Sequence, residues 1–228
     1  MQQTLEVIAT SLSEAIEAHA GGADRLELVR ALDQDGLSPD LDLVRQILAA
    51  VPLPVRVMLR ENASMSVSGN RELALLQAQA AAFAELPIDG LVLGWVTSDR
   101  EVDITSIHTV LDGLTCRVTF HRAIEHVADP LQAIRILKQF PQIDRILTSG
   151  GPGIWPERKA RLLDLQTAAA PEIQILLAVG IASDALTGVF EDASFNEVHV
   201  GRAVRHSQEV SGAVERQRVA ALKNMQRP

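Results

Sequence analysis

The segment Arg117-Val118-Thr119-Phe120-His121-Arg122-Ala123 decides how this chain folds. A run of β-branched and aromatic residues reads as a strand, and it ends on a histidine and an arginine just before a helical stretch. In a parallel barrel, the carboxyl end of a strand is where polar side chains do chemistry. The segment therefore predicts two things: enough similar strands to close a barrel, and polar residues at the ends of several of them.

Working outward, short β-branched runs alternate with amphipathic helical stretches along the whole chain. The expected strands are Leu5 to Ala9, Arg25 to Val29, Val55 to Leu59, Gly90 to Gly94, the opening segment, Arg145 to Thr148, Gln174 to Val179 and Glu197 to Val200. Helix starts are marked by Ser11 with Glu14, by Ser38-Pro39 and by Asp129-Pro130, each a capping or first-turn signal. Further helices are expected from about Glu157, from Ser183 and from about Glu209. Eight βα units at even spacing in 228 residues predict an α/β fold, a (β/α)8 TIM barrel, as a single domain over 1–228. A doubly wound open sheet is the other arrangement, and no glycine-rich dinucleotide fingerprint follows the first strand to favour it.

Strand side chains alternate between the helix-covered outside and the interior, so the apolar positions assign the polar ones. Leu5 and Val7 face outward, which turns Glu6 inward. Leu26 and Leu28 do the same for Glu27, Val57 and Leu59 for Arg56, Met58 and Arg60, Phe120 for Thr119 and His121, and Val198 and Val200 for His199. One reading of the acids and arginines is a buried ion-pair network, since an isolated buried charge is costly. The other is a site at the carboxyl rim, to which Glu6, Glu27, Arg60, His121, Arg122 and His199 would contribute. Ser149-Gly150-Gly151, Gly180 and Gly201-Arg202 follow late strands, where barrels often bind phosphate through backbone N–H groups. They are the candidate anion-binding turns.

Composition limits the partners. A net charge of −8 without a dense basic stripe argues against nucleic acid, and no apolar window suits a signal sequence or a membrane span. A cytoplasmic protein binding a small anionic ligand or a metal ion is expected, and the sequence is compatible with a homo-oligomer. The single cysteine, Cys116, allows neither an internal disulfide nor a multi-cysteine metal site within one chain.

The motifs resemble the CutC family of copper homeostasis proteins, which are TIM barrels. The resemblance rests on Leu5-Glu6-Val7, Gly22-Ala23-Asp24-Arg25-Leu26-Glu27-Leu28, Gly36-Leu37-Ser38-Pro39, Arg60, Thr119-Phe120-His121-Arg122-Ala123, Asp129-Pro130, Arg145-Ile146-Leu147-Thr148-Ser149-Gly150-Gly151 and Glu197-Val198-His199. It implies a shared polar cluster of Glu6, Glu27, Arg60, His121, Arg122, Ser149 and His199, and copper as the metal, with His121 and His199 as ligands. Many members carry cysteines where this chain has Val7-Ile8-Ala9 and Val29, so the soft thiolates that favour Cu(I) are replaced. Two functions follow. The first is copper homeostasis with a metal held by His121, His199 and a carboxylate, or by Met58 and Met65. The second is a lyase- or isomerase-type enzyme acting on a small anionic substrate, phosphorylated ones included. Its arginines would anchor the anion, and a histidine or glutamate would move a proton.

Overall fold

Alternation of side chains along each strand divides the hydrophobic residues into separate sets, and that division builds the barrel. The structure, a computed structural model, describes residues 3–178, 189 and 194–225. Its strands are β1 (Thr4–Ala9), β2 (Arg25–Leu28), β3 (Val55–Met58), β4 (Gly90–Leu93), β5 (Arg117–Phe120), β6 (Ile143–Thr148), β7 (Gln174–Ala178) and β8 (Glu197–Val200). All pair in parallel in sequence order, and β8 returns to β1 to close the barrel. The helices between them are α1 (Leu12–Ala20), α2 (Leu41–Ala50), α3 (Asn70–Ala84), α4 (Ile104–Leu111), α5 (Pro130–Leu137) and α6 (Trp155–Ala169), and α7 (Arg216–Met225) follows β8. The helix expected from Ser183 lies outside the described residues.

Outward-facing Leu5, Val7, Leu26, Leu28, Val57, Phe120, Val198 and Val200 merge with buried helix residues such as Ala15, Ile47 and Ile134 into one continuous core. The inward-facing aliphatic residues form two small clusters of their own, Ile8, Val29, Met58 and Val92 in one and Leu147, Leu176 and Ala178 in the other. The inside and outside faces expected from the sequence are thus the ones observed.

Two helix starts differ from expectation. Ser38 does not cap α2, whose N-cap is Asp40, because Ser38 is tied to the end of β3: the Arg60 N–H donates to its hydroxyl at 2.9 Å and its own N–H donates to the Arg60 carbonyl at 2.8 Å. The last helix begins at Arg216, not near Glu209. Arg205 first pairs with Val214 as an isolated bridge and sends its guanidinium to the Gly212 carbonyl and the buried Glu14 carboxylate.

The amino-terminal half of the interior is ionic. Arg25 contacts Glu6 and, at 2.6 Å, Glu197; Glu197 accepts from Arg145 at 2.7 Å; Arg145 pairs with Asp144; and Arg56 joins Asp144 at 2.8 Å to Asp89 at 2.6 Å. Charges alternate in sign along this chain, so each desolvated group has a partner, which is the condition for tolerating buried charge. Gly90 makes room for it, since a Cβ there would lie 2.8 Å from Arg56 Nη1 and 2.3 Å from the Arg117 carbonyl oxygen. Removing the guanidinium that joins two acids should be costly. Arg25→Met is expected to lower unfolding free energy by ~3–5 kcal/mol in urea titration, the usual result of stranding a buried partner. A loss below ~1 kcal/mol would mean that solvent reaches the pair, as at an ordinary surface ion pair.

Candidate functional site

The site is built where the ionic chain ends. One carboxylate oxygen of Glu6 is held by Arg25, and the other lies 2.7 Å from Nδ1 of His199 on the neighbouring strand β8. Burial alone would raise the Glu6 pKa. The Arg25 charge and the His199 hydrogen bond outweigh it and hold the carboxyl well below the usual carboxylate range. Glu6 is therefore the acceptor and His199 Nδ1 the donor. That leaves His199 Nε2 facing Glu27, with 3.7 Å to its Oε2, longer than a hydrogen bond.

Glu27 is only 2% exposed, and its Oε1 is buried without a partner. Burial, opposed by His199 and reinforced by the Glu6 charge, pushes its carboxyl up to about 7. Burial lowers the affinity of His199 for a proton, but Glu27 and Glu6 together raise it above the ordinary histidine value. One donor atom from each of Glu6, Glu27 and His199 lies within 4.8 Å of the others.

Glu27 and His199 line a cavity of about 570 Å³ at the carboxyl end of the barrel, and Glu6 lies behind them, outside its lining. The same cavity is lined by Arg60, which follows β3 next to the strand of Glu27, and by His121 and Arg122, which follow β5 across the barrel from β1. His121 Nδ1 accepts the Ala123 N–H at 3.1 Å. Burial, followed by the charge of Arg60, pushes the imidazole down to about 3, so it is neutral near pH 7. Gly94 gives the ring its place, because a Cβ there would lie 2.9 Å from His121 Nδ1. Arg122 is half-exposed and paired with Glu125 at 2.9 Å.

The remaining expected site residues are placed as follows. The Ser149 N–H donates to the Glu125 carboxylate at 2.6 Å, and the Gly150 N–H donates to the Thr148 hydroxyl at 3.1 Å, so both amides already have partners within the chain. Gly201 and Arg202 line the cavity where β8 leads into a short 3-10 turn. Gly180 lies outside the described residues. The structure brings Glu6, Glu27 and His199 together as one cluster, whereas His121, which lines the same cavity as His199, shares no ligand cluster with it.

Three residues with roles here were not singled out from the sequence: Arg25, Glu197 and Glu125. The alternation that placed Glu27 and His199 inside also places Arg25 and Glu197 inside, two positions earlier in the same strands. Nothing local signals that Glu125 reaches Ser149.

Comparison with known proteins agrees with the fold and the resemblance. The CutC family profile matches residues 3–204. The human protein named copper homeostasis protein cutC homolog is 30% identical over 207 residues, covering 89% of this chain and 75% of that one. A solved structure of a CutC protein from Streptococcus agalactiae superposes with a TM-score of 0.77 at 24% identity, over 87% of this chain and 98% of that chain. Orotidine 5'-phosphate decarboxylase from Pyrococcus horikoshii superposes with a TM-score of 0.63 at 14% identity, over 97% and 98% of the two chains, a likeness of barrel fold alone.

The neutral His121 has a measurable consequence. An unfolded histidine takes up a proton near pH ~6.5, whereas the folded one does not until about pH 3. Between these values the unfolded state binds the extra proton, and stability falls as pH falls, by up to ~1.4 kcal/mol per pH unit; above pH ~6.5 the group contributes no slope. In His121→Gln that part of the slope should vanish from urea midpoints measured across the window. Parallel slopes in the two proteins would show that the folded imidazole charges normally.

Proposed function

This chain belongs to the CutC family, and on that premise we propose that it serves copper homeostasis by binding a metal ion in the barrel mouth, at His199 and Glu27. The observation that carries the reading is the convergence of Glu6, Glu27 and His199 donor atoms within 4.8 Å in a buried position. Glu6 is committed to Arg25 and to His199 Nδ1, so it acts as the orienting carboxylate that fixes the imidazole and leaves Nε2 for the ion, a common arrangement in metal sites. Glu27, with its unpartnered oxygen, supplies the anionic ligand.

An imidazole and a carboxylate suit Cu(II), and the same donor types also suit zinc. Thiolate is not available here, because Cys116 immediately precedes β5, at the end of that strand remote from the cavity. The thioethers of Met58 and Met65 line the same cavity and are the soft donors that would serve Cu(I). Arg25 is neutralised within the ion-pair chain, so it does not act as a free cation opposing the metal.

A second reading, proton transfer on a small anion, is favoured by one observation: Glu6 holds His199 in the tautomer that presents Nε2 to the cavity beside Glu27, the geometry of an oriented general base. Ligand-induced thermal shifts in a metabolite screen that persist after chelation support this second reading, and shifts that require the ion support the first.

For the metal reading, calorimetric titration with Cu(II) should show one saturable site. His199→Gln and Glu27→Gln should each weaken it at least ~tenfold, and Glu6→Gln should weaken it ~10–100-fold through lost orientation of the imidazole. His121→Gln should leave it unchanged. Binding that is indifferent to His199→Gln would place copper elsewhere and sink the reading.

A further inference from the structure

Arg60 and His121, which line the same cavity as Glu27 and His199, have no part in the metal reading, yet they are its more unusual members. His121 is 3% exposed and lines the cavity. Because its Nδ1 accepts the Ala123 N–H, that nitrogen bears no proton, and the ring's single proton must sit on Nε2. Nε2 is buried and has no hydrogen-bond partner. An unmade buried donor costs ~1–3 kcal/mol, so this one is held ready for an acceptor that comes from outside the chain.

Arg60 is 2% exposed, and its partners are all neutral: the carbonyl of Ala63 at 2.6 Å, those of Asp35 and Gly36 at 3.3 Å and that of Ser64 at 3.4 Å. Among the described residues no carboxylate lies within 4.0 Å of it. Among the described residues, every other comparably buried arginine guanidinium, on Arg25, Arg56 and Arg205, contacts a carboxylate. The carbonyls tether Arg60, and the only carboxylate that acts on its charge is that of Asp35, beyond ion-pair distance. Its location beside His121 is reflected in the downward push that its charge exerts on that imidazole. Ile8, Met58, Leu147 and Ala178 give the cavity an apolar floor.

We infer that Arg60 and the Nε2–H of His121 form a subsite for the anionic oxygen of a small organic acid whose short apolar body rests on this floor. A donor-only pair, one charged and one neutral, matches an anionic oxygen and offers nothing to a cation, because His121 cannot ligate a metal through a nitrogen that carries a proton. A volume of about 570 Å³ holds an organic molecule rather than a bare inorganic ion. The far end of the ligand then reaches Glu27 and His199, whether these hold a proton or a metal. The inference rests on different residues from the metal reading and fails separately from it.

The test uses the full chain freed of metal by chelation, with pyruvate, its neutral amide pyruvamide and inorganic phosphate as probes. Nitrogen NMR of the imidazoles should show His121 in the Nε2–H tautomer before any ligand is added, and a saturating anion should shift that proton. Pyruvate should bind at least ~tenfold more tightly than pyruvamide. His121→Phe should lose this binding, and His121→Gln, which restores a donor near the Nε2 position, should recover part of it. Arg60→Met should abolish the preference for the anion, and Arg60→Lys, which keeps the charge, should retain it and serves if the methionine variant does not fold. Saturation by phosphate without binding of pyruvate would overturn the organic-acid subsite. Equal affinity for pyruvate and pyruvamide, no saturable binding of either anion at tens of millimolar, or wild-type affinity in His121→Phe would each overturn the inference.

Discussion

The contact between Arg25 and Glu6 governs the geometry of the barrel mouth. Arg25 enters the barrel at the start of β2 and bridges Glu6 on β1 and Glu197 on β8. With one oxygen of Glu6 fixed this way, the other has a single direction left, toward His199 Nδ1. The imidazole is then fixed in tautomer and orientation, and Nε2 points at Glu27. A buried ion pair gains little over well-packed aliphatic side chains in stability terms. What this one supplies is direction, since a greasy interior would leave His199 free to rotate.

The same logic separates the two halves of the interior. At the amino-terminal end, charges alternate through Glu6, Arg25, Glu197, Arg145, Asp144, Arg56 and Asp89, so each desolvated group is matched. At the carboxyl end the matching stops. Glu27 keeps an unpartnered oxygen, His121 an unpartnered Nε2, and Arg60 a guanidinium with carbonyl partners only. Among the buried polar atoms left without a partner in the described residues, Glu27 Oε1 and His121 Nε2 share one cavity, whereas Thr119 Oγ1, also on the interior face, lies outside its lining. In a fold whose sites lie at that end, two such atoms in one cavity are the physical mark of a place built to receive something.

Most of the barrel was readable from the chain because a period of two is a strong constraint. Once Leu5 and Val7 are outside, Glu6 has to be inside, and the same step placed Glu27, Arg56, Arg60, His121 and His199 on the interior face. Which of those residues meet was not readable, because pairing depends on strand register and on contacts between residues distant in sequence. His121 and His199 look equivalent in the sequence, each an inward histidine near a strand end. The closed sheet gives them opposite hydrogen-bonding roles: Nδ1 of His199 donates, and Nδ1 of His121 accepts. Ser149 and Gly150 read as an open turn with free amides, but Glu125 and Thr148 occupy those amides. Ser38 read as a helix cap and is instead the tie that fixes the backbone of Arg60.

The opposite roles of the two histidines bear on what the cavity can hold. A bare cation would be served by Glu27 and His199 alone, and nothing in that task calls for a buried guanidinium and a neutral N–H donor in the same cavity. A bare anion would be served by Arg60 and His121 alone, and nothing in that task calls for a carboxylate whose pKa burial lifts to about 7. Both pairs are used by an occupant with an electron-rich end at Arg60 and His121 and, at Glu27 and His199, either a proton that can be exchanged or a metal ion. A metal carried together with an organic acid and a small acid undergoing proton transfer both meet that description. The residues that separate them are Glu27 and His199, because only in the first case do both act as ligands to the same ion.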